Sequence, residues 1–271
     1  MVQIGIGFRH GLTPGIFSAA SEFDCVEIIA DSYFFLTRAK YIQIKDLLNL
    51  FTIIPHGLRL SIGSVERPPQ SYLDNIVRLL EVINPPYYSE HFAITGIPEI
   101  DIGHLSPIWY TDEVLDVVIK NVRSIQNFLG IPLVLETITH PFYIPCSSMT
   151  QEEFITIVVN ETGCGILLDV TNIFINSKNF NTDPKAFINR LPKQSIKQLH
   201  IVGYTTDDMG FLLDTHSKSI QPGIWELYEY TMSVCNPDYV IIERDSNFPD
   251  ITELVAEVKR ARMPPIYHDL F

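Results

Sequence analysis

The chain has 271 residues, of which 46% are hydrophobic and 19% are charged, and its formal net charge is -13. This length favours one α/β domain over residues 1–271, and the acidic excess argues against a nucleic-acid partner, because phosphate backbones are bound mainly through Lys and Arg. With no apolar run of about 18 residues and no secretory signal pattern, we expect a cytoplasmic protein without a membrane partner.

Eight apolar runs with the composition of buried strands recur along the chain. They are residues 3–7 and the runs CVEII (25–29), TIIPH (52–56), YYSEH (87–91), PLVLE (132–136), GILLD (165–169), IKQLH (196–200) and YVIIE (239–243). Near-continuous apolar runs of this kind are typical of parallel strands that are covered on both faces.

Helical patterns separate these runs. Thr150 and Glu153 form a capping box before one helix, and Asp250 with Glu253 resembles the same arrangement before the last helix. Strands that alternate with helices indicate a parallel sheet, and eight such units predict a closed (β/α)₈ barrel, that is, a single TIM barrel.

Seven of the runs contain or end in Glu, His or Asp. A carboxylate or imidazole at the end of a buried strand is costly to desolvate unless it is paired or bound to a metal. In a (β/α)₈ barrel the carboxyl ends of the strands surround one mouth, so these side chains would converge. They are Glu27, His56, Glu90, His91, Glu136, Asp169, His200 and Glu243.

Each of these residues also has an ordinary structural explanation. Taken alone, His56 or His200 could be a core histidine bonded to a carbonyl, and Glu243 could pair with Arg244. Together, at least six groups at one barrel end would each need a separate partner, while the chain has only 19 Lys and Arg. The pattern therefore favours a metal cluster, which would satisfy all of them at once.

Further candidate ligands lie outside the strands. Asp214 and His216 are two residues apart, which in an extended segment places both side chains on one face, and Asn172 follows Asp169 by three residues. Imidazole and carboxylate without thiolate suit iron, manganese or zinc, and the number of ligands is sufficient for two or three ions. Four other histidines carry less information: His10, His104, His140 and His268.

In their order along the chain, these motifs resemble the multinuclear non-heme iron-dependent oxidative enzymes. This bacterial family was long catalogued as a domain of unknown function, and it includes the methanobactin biosynthesis oxidase and the 3-thiaglutamate biosynthesis enzyme. The resemblance extends from the first strand to the last. It is carried by PHGLRLSIGS with His56, SEHFAIT with Glu90 and His91, LVLET with Glu136, LLDVTNIFIN with Asp169 and Asn172, HIVGY with His200, DTH with Asp214 and His216, and ERD with Glu243 and Asp245.

The resemblance implies a xylose-isomerase-like barrel with two or three iron ions in mixed Fe(II)/Fe(III) states and O₂ as co-substrate. It further implies modification of a ribosomally made precursor peptide, most often at cysteine, together with a partner protein that recognises the peptide leader. Asp169, His200 and Glu243 are expected to act in catalysis. The implied iron ligands are His56, Glu90, His91, Glu136, Asp169, Asn172, His200, Asp214, His216 and Glu243.

Two positions depart from the family pattern. Many relatives have Asn at the position of Thr137 and His at the position of Phe180. Because a Phe side chain cannot bind a metal, the third iron site could be altered, lost or completed by Asn179 or Asn181. The sequence therefore leaves two irons and three irons open.

Two other functions remain open on the same residues. A divalent-metal sugar isomerase or a zinc-dependent endonuclease of the apurinic-site type also gathers Glu, Asp and His at the strand ends of such a barrel. Alternatively, the chain could be a non-catalytic subunit that binds metal or peptide. Metal analysis and a test of turnover distinguish these alternatives.

Overall fold

A computed structural model describes residues 1–97 and 100–263. Its strands within this range are β1 (Gln3–Phe8), β2 (Cys25–Ile29), β3 (Thr52–His56), β4 (Tyr88–His91), β5 (Ile94–Ile97), β6 (Ile100–Ser106), β7 (Leu133–Glu136), β8 (Gly165–Asp169), β9 (Ile196–Ile201), β10 (Gly203–Thr206), β11 (Leu212–Lys218) and β12 (Tyr239–Ile242). Eight of them close into a parallel barrel in the order β1-β12-β9-β8-β7-β4-β3-β2. The predicted TIM barrel is confirmed, and His268 lies outside the described residues.

Helices cover the outside of the barrel. They are α1 (Thr13–Ser18), α2 (Arg38–Leu48), α3 (Gln70–Ile83), α4 (Asp112–Leu129), α5 (Gln151–Thr162), α6 (Val170–Phe180), α7 (Pro184–Arg190), α8 (Pro222–Val234) and α9 (Ile251–Ala261). The main apolar core lies between these helices and the outward faces of the strands. Within the described ranges, no helix combines the length and the apolar character that crossing a membrane requires.

One of the two predicted capping boxes is present. Thr150 and Glu153 each bond the backbone of the other at the start of α5. Asp250 caps α9 by accepting from the Thr252 amide, but the Glu253 carboxylate accepts from Ser219 Oγ at 2.6 Å instead of returning to the cap. The second box was therefore wrong, because a side chain from another part of the fold supplies the better donor.

A small apolar cluster fills the inside of the barrel below the strand ends. Ile54, Val134 and Leu167 are fully buried there and pack with Tyr87. Each of the three precedes a strand-end polar residue by two positions, and side chains two apart in a strand share a face. The apolar cluster therefore forms a floor under the polar residues.

The register of the barrel brings the strand-end residues to a common level. His91 on β4 is the direct neighbour of Glu136 on β7, and Asp169 on β8 is the direct neighbour of His200 on β9. Two antiparallel hairpins, β5–β6 and β10–β11, follow β4 and β9 at this end of the barrel. They form walls around the mouth.

Candidate metal centre

A cavity of about 380 Å³ opens at the carboxyl ends of the barrel strands. The strand ends supply its floor and both hairpins reach it, through Thr95 and His104 on one side and His216 on the other. A larger cavity of about 760 Å³ lies elsewhere, beside α5 and α7. The smaller cavity is the candidate site because predicted metal ligands line it: His56, His91, Glu136, His216 and Glu243.

The first group of potential ligands consists of His56, His91 and Glu136. Glu136 Oε2 lies 3.1 Å from His56 Nε2 and 3.2 Å from His91 Nε2, and the two nitrogens are 3.3 Å apart. All three residues are buried. Two imidazole nitrogens and one carboxylate oxygen thus point at the same small volume, which is a donor set suited to iron or zinc.

The second group consists of Glu136, Asp169, His200 and Glu243, all buried. His200 Nδ1 lies 3.3 Å from Glu136 Oε1 and 3.1 Å from Glu243 Oε2. Three carboxylates and one imidazole therefore surround this position. Such a concentration of buried negative charge requires a compensating cation or protons.

The third group consists of His216, Glu243 and Asp245. His216 Nδ1 lies 3.0 Å from Asp245 Oδ2 and 3.5 Å from Glu243 Oε2. It is the most open of the three groups, since 43% of the Asp245 side chain is exposed. Position 180 contributes nothing to it, because Phe180 lines the larger cavity and the Asn179 side chain bonds the backbone of Leu212.

Two carboxylates join the three groups. Glu136 presents Oε2 to the first group and Oε1 to the second, and Glu243 belongs to both the second and the third. Since carboxylates bridge metal ions readily through one or both oxygens, the groups form a row of three neighbouring positions.

Two oxygens at the site, one on Asp169 and one on Asn172, are buried without a hydrogen-bond donor in the part of the chain that the structure describes. Asp169 uses Oδ1 to cap α6 by accepting from the Asn172 amide at 2.8 Å, while its Oδ2 is buried without a hydrogen-bond partner among the described residues. Asn172 donates its amide to the Thr137 carbonyl at 3.2 Å, and its Oδ1 is similarly buried and unpaired within that part of the chain. Buried acceptors without donors are costly, so the residues present fit a bound metal ion.

The two histidines of the first group have hydrogen-bond partners at their Nδ1 atoms, on the side of each ring that faces away from the cavity. Ser89 Oγ donates to the Pro55 carbonyl and lies 2.9 Å from His56 Nδ1, so it can accept the Nδ1 proton. His91 Nδ1 lies 3.1 Å from Glu90 Oε1. In both rings the Nε2 atom is left for the cavity, which is the arrangement usual for histidines that bind metals.

Two predicted ligands are placed beside the groups rather than in them. Glu90 lies behind His91, and its Oε2 accepts from the Leu60 amide at 3.0 Å. Asp214 Oδ1 lies 2.7 Å from His216 Nε2, on the side of the ring opposite the third group. Adjacent strand residues point to opposite faces, so the pair Glu90 and His91 could have been separated from the sequence.

Arg9 was not predicted as a site residue. Its guanidinium donates to Asp245 Oδ1 at 2.6 Å and to Glu243 Oε1 at 3.1 Å. It thereby holds two members of the third group, and Gly7 leaves room for it, since a Cβ at that position would lie 3.1 Å from the guanidinium. A basic residue just after the first strand is the only signal that the sequence offers for this role.

The ionisation of these groups reflects their crowding. Burial disfavours the charged form of His56, but Glu27 and Glu136 outweigh it and raise the pKa of His56 to about 9. Burial, with Asp214 and Glu136 nearby, raises the pKa of Asp169 well above its usual value. Protons thus provide the compensation that a metal ion would provide instead.

Comparisons with known proteins show the family to which the chain belongs. The family model described as "RiPP precursor modification enzyme MbnB/TglH/ChrH" matches residues 3–264. A UPF0276 protein of Chromobacterium violaceum is 31% identical over 258 residues, which cover 95% of this chain and 93% of that protein.

Solved structures with the same architecture are more distant in sequence. A xylose isomerase-like TIM barrel protein from Mycobacterium smegmatis in complex with magnesium has a TM-score of 0.62 and 12% identity, covering 96% of this chain and 95% of its own. A D-psicose 3-epimerase, in the presence of D-fructose, has a TM-score of 0.60 and 14% identity, covering 96% of both chains. At these identities the likeness shows the fold alone.

Proposed function

Because the chain belongs to the MbnB/TglH/ChrH family of RiPP precursor modification enzymes, we propose that it uses iron and O₂ to modify a ribosomally synthesised precursor peptide at a cysteine residue. The family that the motifs predicted is confirmed over nearly the whole chain. Membership of this family identifies the chain as an enzyme of precursor-peptide modification. The use of iron, the use of O₂ and the reaction at cysteine are what we propose.

The observation that carries the proposal is the row of three groups joined by Glu136 and Glu243. Bound iron would supply binding of a thiolate and transfer of electrons to O₂. The residues of the chain would orient the ions, exclude water from the floor of the site, and leave the more exposed third group accessible to a peptide side chain.

The electron balance of such a reaction gives a direct readout. Removal of two hydrogen atoms from the peptide for each O₂ consumed would form hydrogen peroxide, and removal of four would form two waters. The peptide mass and the O₂ uptake, measured together, therefore identify the oxidation that takes place. We also propose that a partner protein recognises the leader, as the resemblance implies.

The first experiment is metal analysis after anaerobic purification. We expect two or three irons per chain, and Mössbauer spectra should distinguish Fe(II) from Fe(III). The variant Asp169→Asn keeps the side-chain volume but removes a charge from the second group, so we expect a lower iron content with an unchanged fold. Stoichiometric zinc without iron would contradict the oxidase and favour a hydrolase.

The second experiment is co-expression with short cysteine-containing peptides encoded beside the gene, with and without the neighbouring candidate partner. We expect a change in peptide mass that depends on the cysteine, on iron and on O₂. A Cys→Ser peptide is the matched control. A fully iron-loaded protein that consumes no O₂ with a peptide and partner shown to bind it would favour a non-catalytic subunit.

A further inference from the structure

Glu27 is a strand-borne carboxylate that none of the three groups uses. It lies in the middle of β2, between Gly7 of β1 and Ile54 of β3, and is 1% exposed. Its Oε1 atom is buried with no hydrogen-bond partner in the described ranges. A buried carboxylate with an unpaired oxygen is costly, so its presence requires an explanation.

The other oxygen of Glu27 contacts a candidate metal ligand. Glu27 Oε2 lies 2.9 Å from His200 Nε2, and the two residues are 173 positions apart in the sequence. On the other side of the same ring, His200 Nδ1 faces Glu136 and Glu243 of the second group. The two nitrogens of His200 therefore serve different partners.

We propose that Glu27 is a positioning residue for the metal centre, and that it holds the proton of His200 on Nε2 so that Nδ1 is the nitrogen that binds the metal. This inference rests on the proposed metal centre. It assigns to His200 the Nδ1 atom as the ligand, whereas His56 and His91 present Nε2 to the first group. A carboxylate behind a metal-binding imidazole fixes the tautomer and the ring orientation.

A series of hydrogen bonds between buried side chains sets the direction of the bonds to Glu27. Tyr87 Oη donates to Gln198 Oε1 at 2.7 Å, which turns the Gln198 amide nitrogen toward Glu27 Oε2, 2.5 Å away. That nitrogen also lies 2.8 Å from His200 Nε2. If His200 Nε2 were unprotonated it could only accept from the Gln198 amide, a neutral hydrogen bond, and would face the Glu27 oxygen as a second acceptor. A bond from the Nε2 proton to the carboxylate is charge-assisted and about twice as strong as a neutral one, which favours the proton on Nε2.

The test compares Glu27→Gln and Glu27→Ala with the unchanged chain. Anaerobic titration with Fe(II), and with Co(II) as a spectroscopic probe, should show affinity at the second group about 10- to 100-fold lower for Glu27→Ala. Glu27→Gln can still accept from Nε2, so we expect a smaller loss. Glu152→Gln is the matched control, because Glu152 is another buried Glu but pairs with Arg190 away from the site, and its affinity should not change.

A spectroscopic readout separates positioning from general support of the fold. In ¹⁵N-histidine-labelled protein loaded with diamagnetic Zn(II), two-bond ¹H–¹⁵N spectra should show a metal-bound Nδ1 and a protonated Nε2 for His200, beside a similar pattern for His216, whose Nδ1 faces the third group. The His200 signal should vanish in His200→Asn, which assigns it, and Glu27→Ala should broaden or shift it. Circular dichroism of the metal-free variants checks that the fold persists.

The possible failures are distinguishable. If the unchanged chain binds no iron, cobalt or zinc, the proposed metal centre fails and the role of Glu27 fails with it. If the unchanged chain binds metal but both Glu27 variants bind equally well, or if Zn(II) binds His200 through Nε2, only the role of Glu27 is wrong. If Glu27→Ala does not fold, the metal affinity of Glu27→Gln and the tautomer of His200 in the unchanged chain decide whether Glu27 has this role.

Discussion

Replacement of Glu136 by Gln should remove two metal ions with one substitution. The two carboxylate oxygens face different groups, Oε2 toward His56 and His91 and Oε1 toward His200. Gln has nearly the same volume and can still offer one oxygen, but it carries no charge. The substitution therefore tests whether the first and second groups share a ligand.

The magnitude follows from the distances. Glu136 Oε2 lies 3.1 and 3.2 Å from the two histidine nitrogens, and an ion held among these atoms would lie no farther away than that. At a charge separation of about 3.2 Å and an effective dielectric constant of about 20, a unit negative charge contributes about 5 kcal/mol toward each unit of positive charge. This is more than three powers of ten in a binding constant. Glu136 is 3% exposed, so solvent screening does little to reduce the effect.

The assay is metal stoichiometry after anaerobic loading and desalting, compared across single variants. If all three positions fill in the unchanged chain, Glu136→Gln should retain only the third ion and Glu243→Gln only the first. His91→Asn, which touches the first group alone, should lose one ion. Equal losses for Glu136→Gln and His91→Asn would refute the bridging role of Glu136.

Three further predictions concern Arg9, the titration of the site and a distant cap. Arg9→Met removes the largely buried partner of the buried Glu243 carboxylate, so urea denaturation of the metal-free protein should show a free energy of unfolding lower by about 3–5 kcal/mol. The pKa of His56 rises from 6.5 to about 9 on folding, so the metal-free folded state binds more protons than the unfolded chain. The contribution of His56 to the free energy of unfolding should therefore be complete below about pH 6.5 and should decline as the pH approaches 9. The raised pKa of Asp169 acts in the same direction. The melting-temperature gain from added metal should therefore grow over that range, and a gain that falls would contradict the linkage. Thr150→Ala should cost about 1 kcal/mol through the lost cap of α5 while leaving metal content unchanged.

The sequence predicted the barrel because its strand signal is local. Apolar runs such as GILLD read as buried strands without knowledge of their neighbours, and the strand ends of this fold meet at one mouth. For this reason Glu136 and Asp169 could be placed together from the sequence alone. The register that makes His91 the neighbour of Glu136 then completes the first group.

The details that escaped prediction depend on tertiary contacts. Which nitrogen of His200 faces the second group depends on Glu27, on a strand far away in the sequence, and no local pattern encodes it. Arg9 enters the site because Gly7 leaves space for its guanidinium and Glu243 supplies the negative charge that pairs with it. The placement of Glu90 behind His91 is different, since strand alternation already separates the two side chains.

The sharing of Glu136 and Glu243 has a consequence for how the protein would acquire its ions. An ion in the middle position would draw on both shared carboxylates and fix their orientation, while also neutralising part of the charge that attracts the next ion. Uptake at the three positions would then be thermodynamically linked, and the middle position would govern the occupancy of its neighbours. A partially loaded sample would be a defined set of species in a preferred order rather than a random mixture.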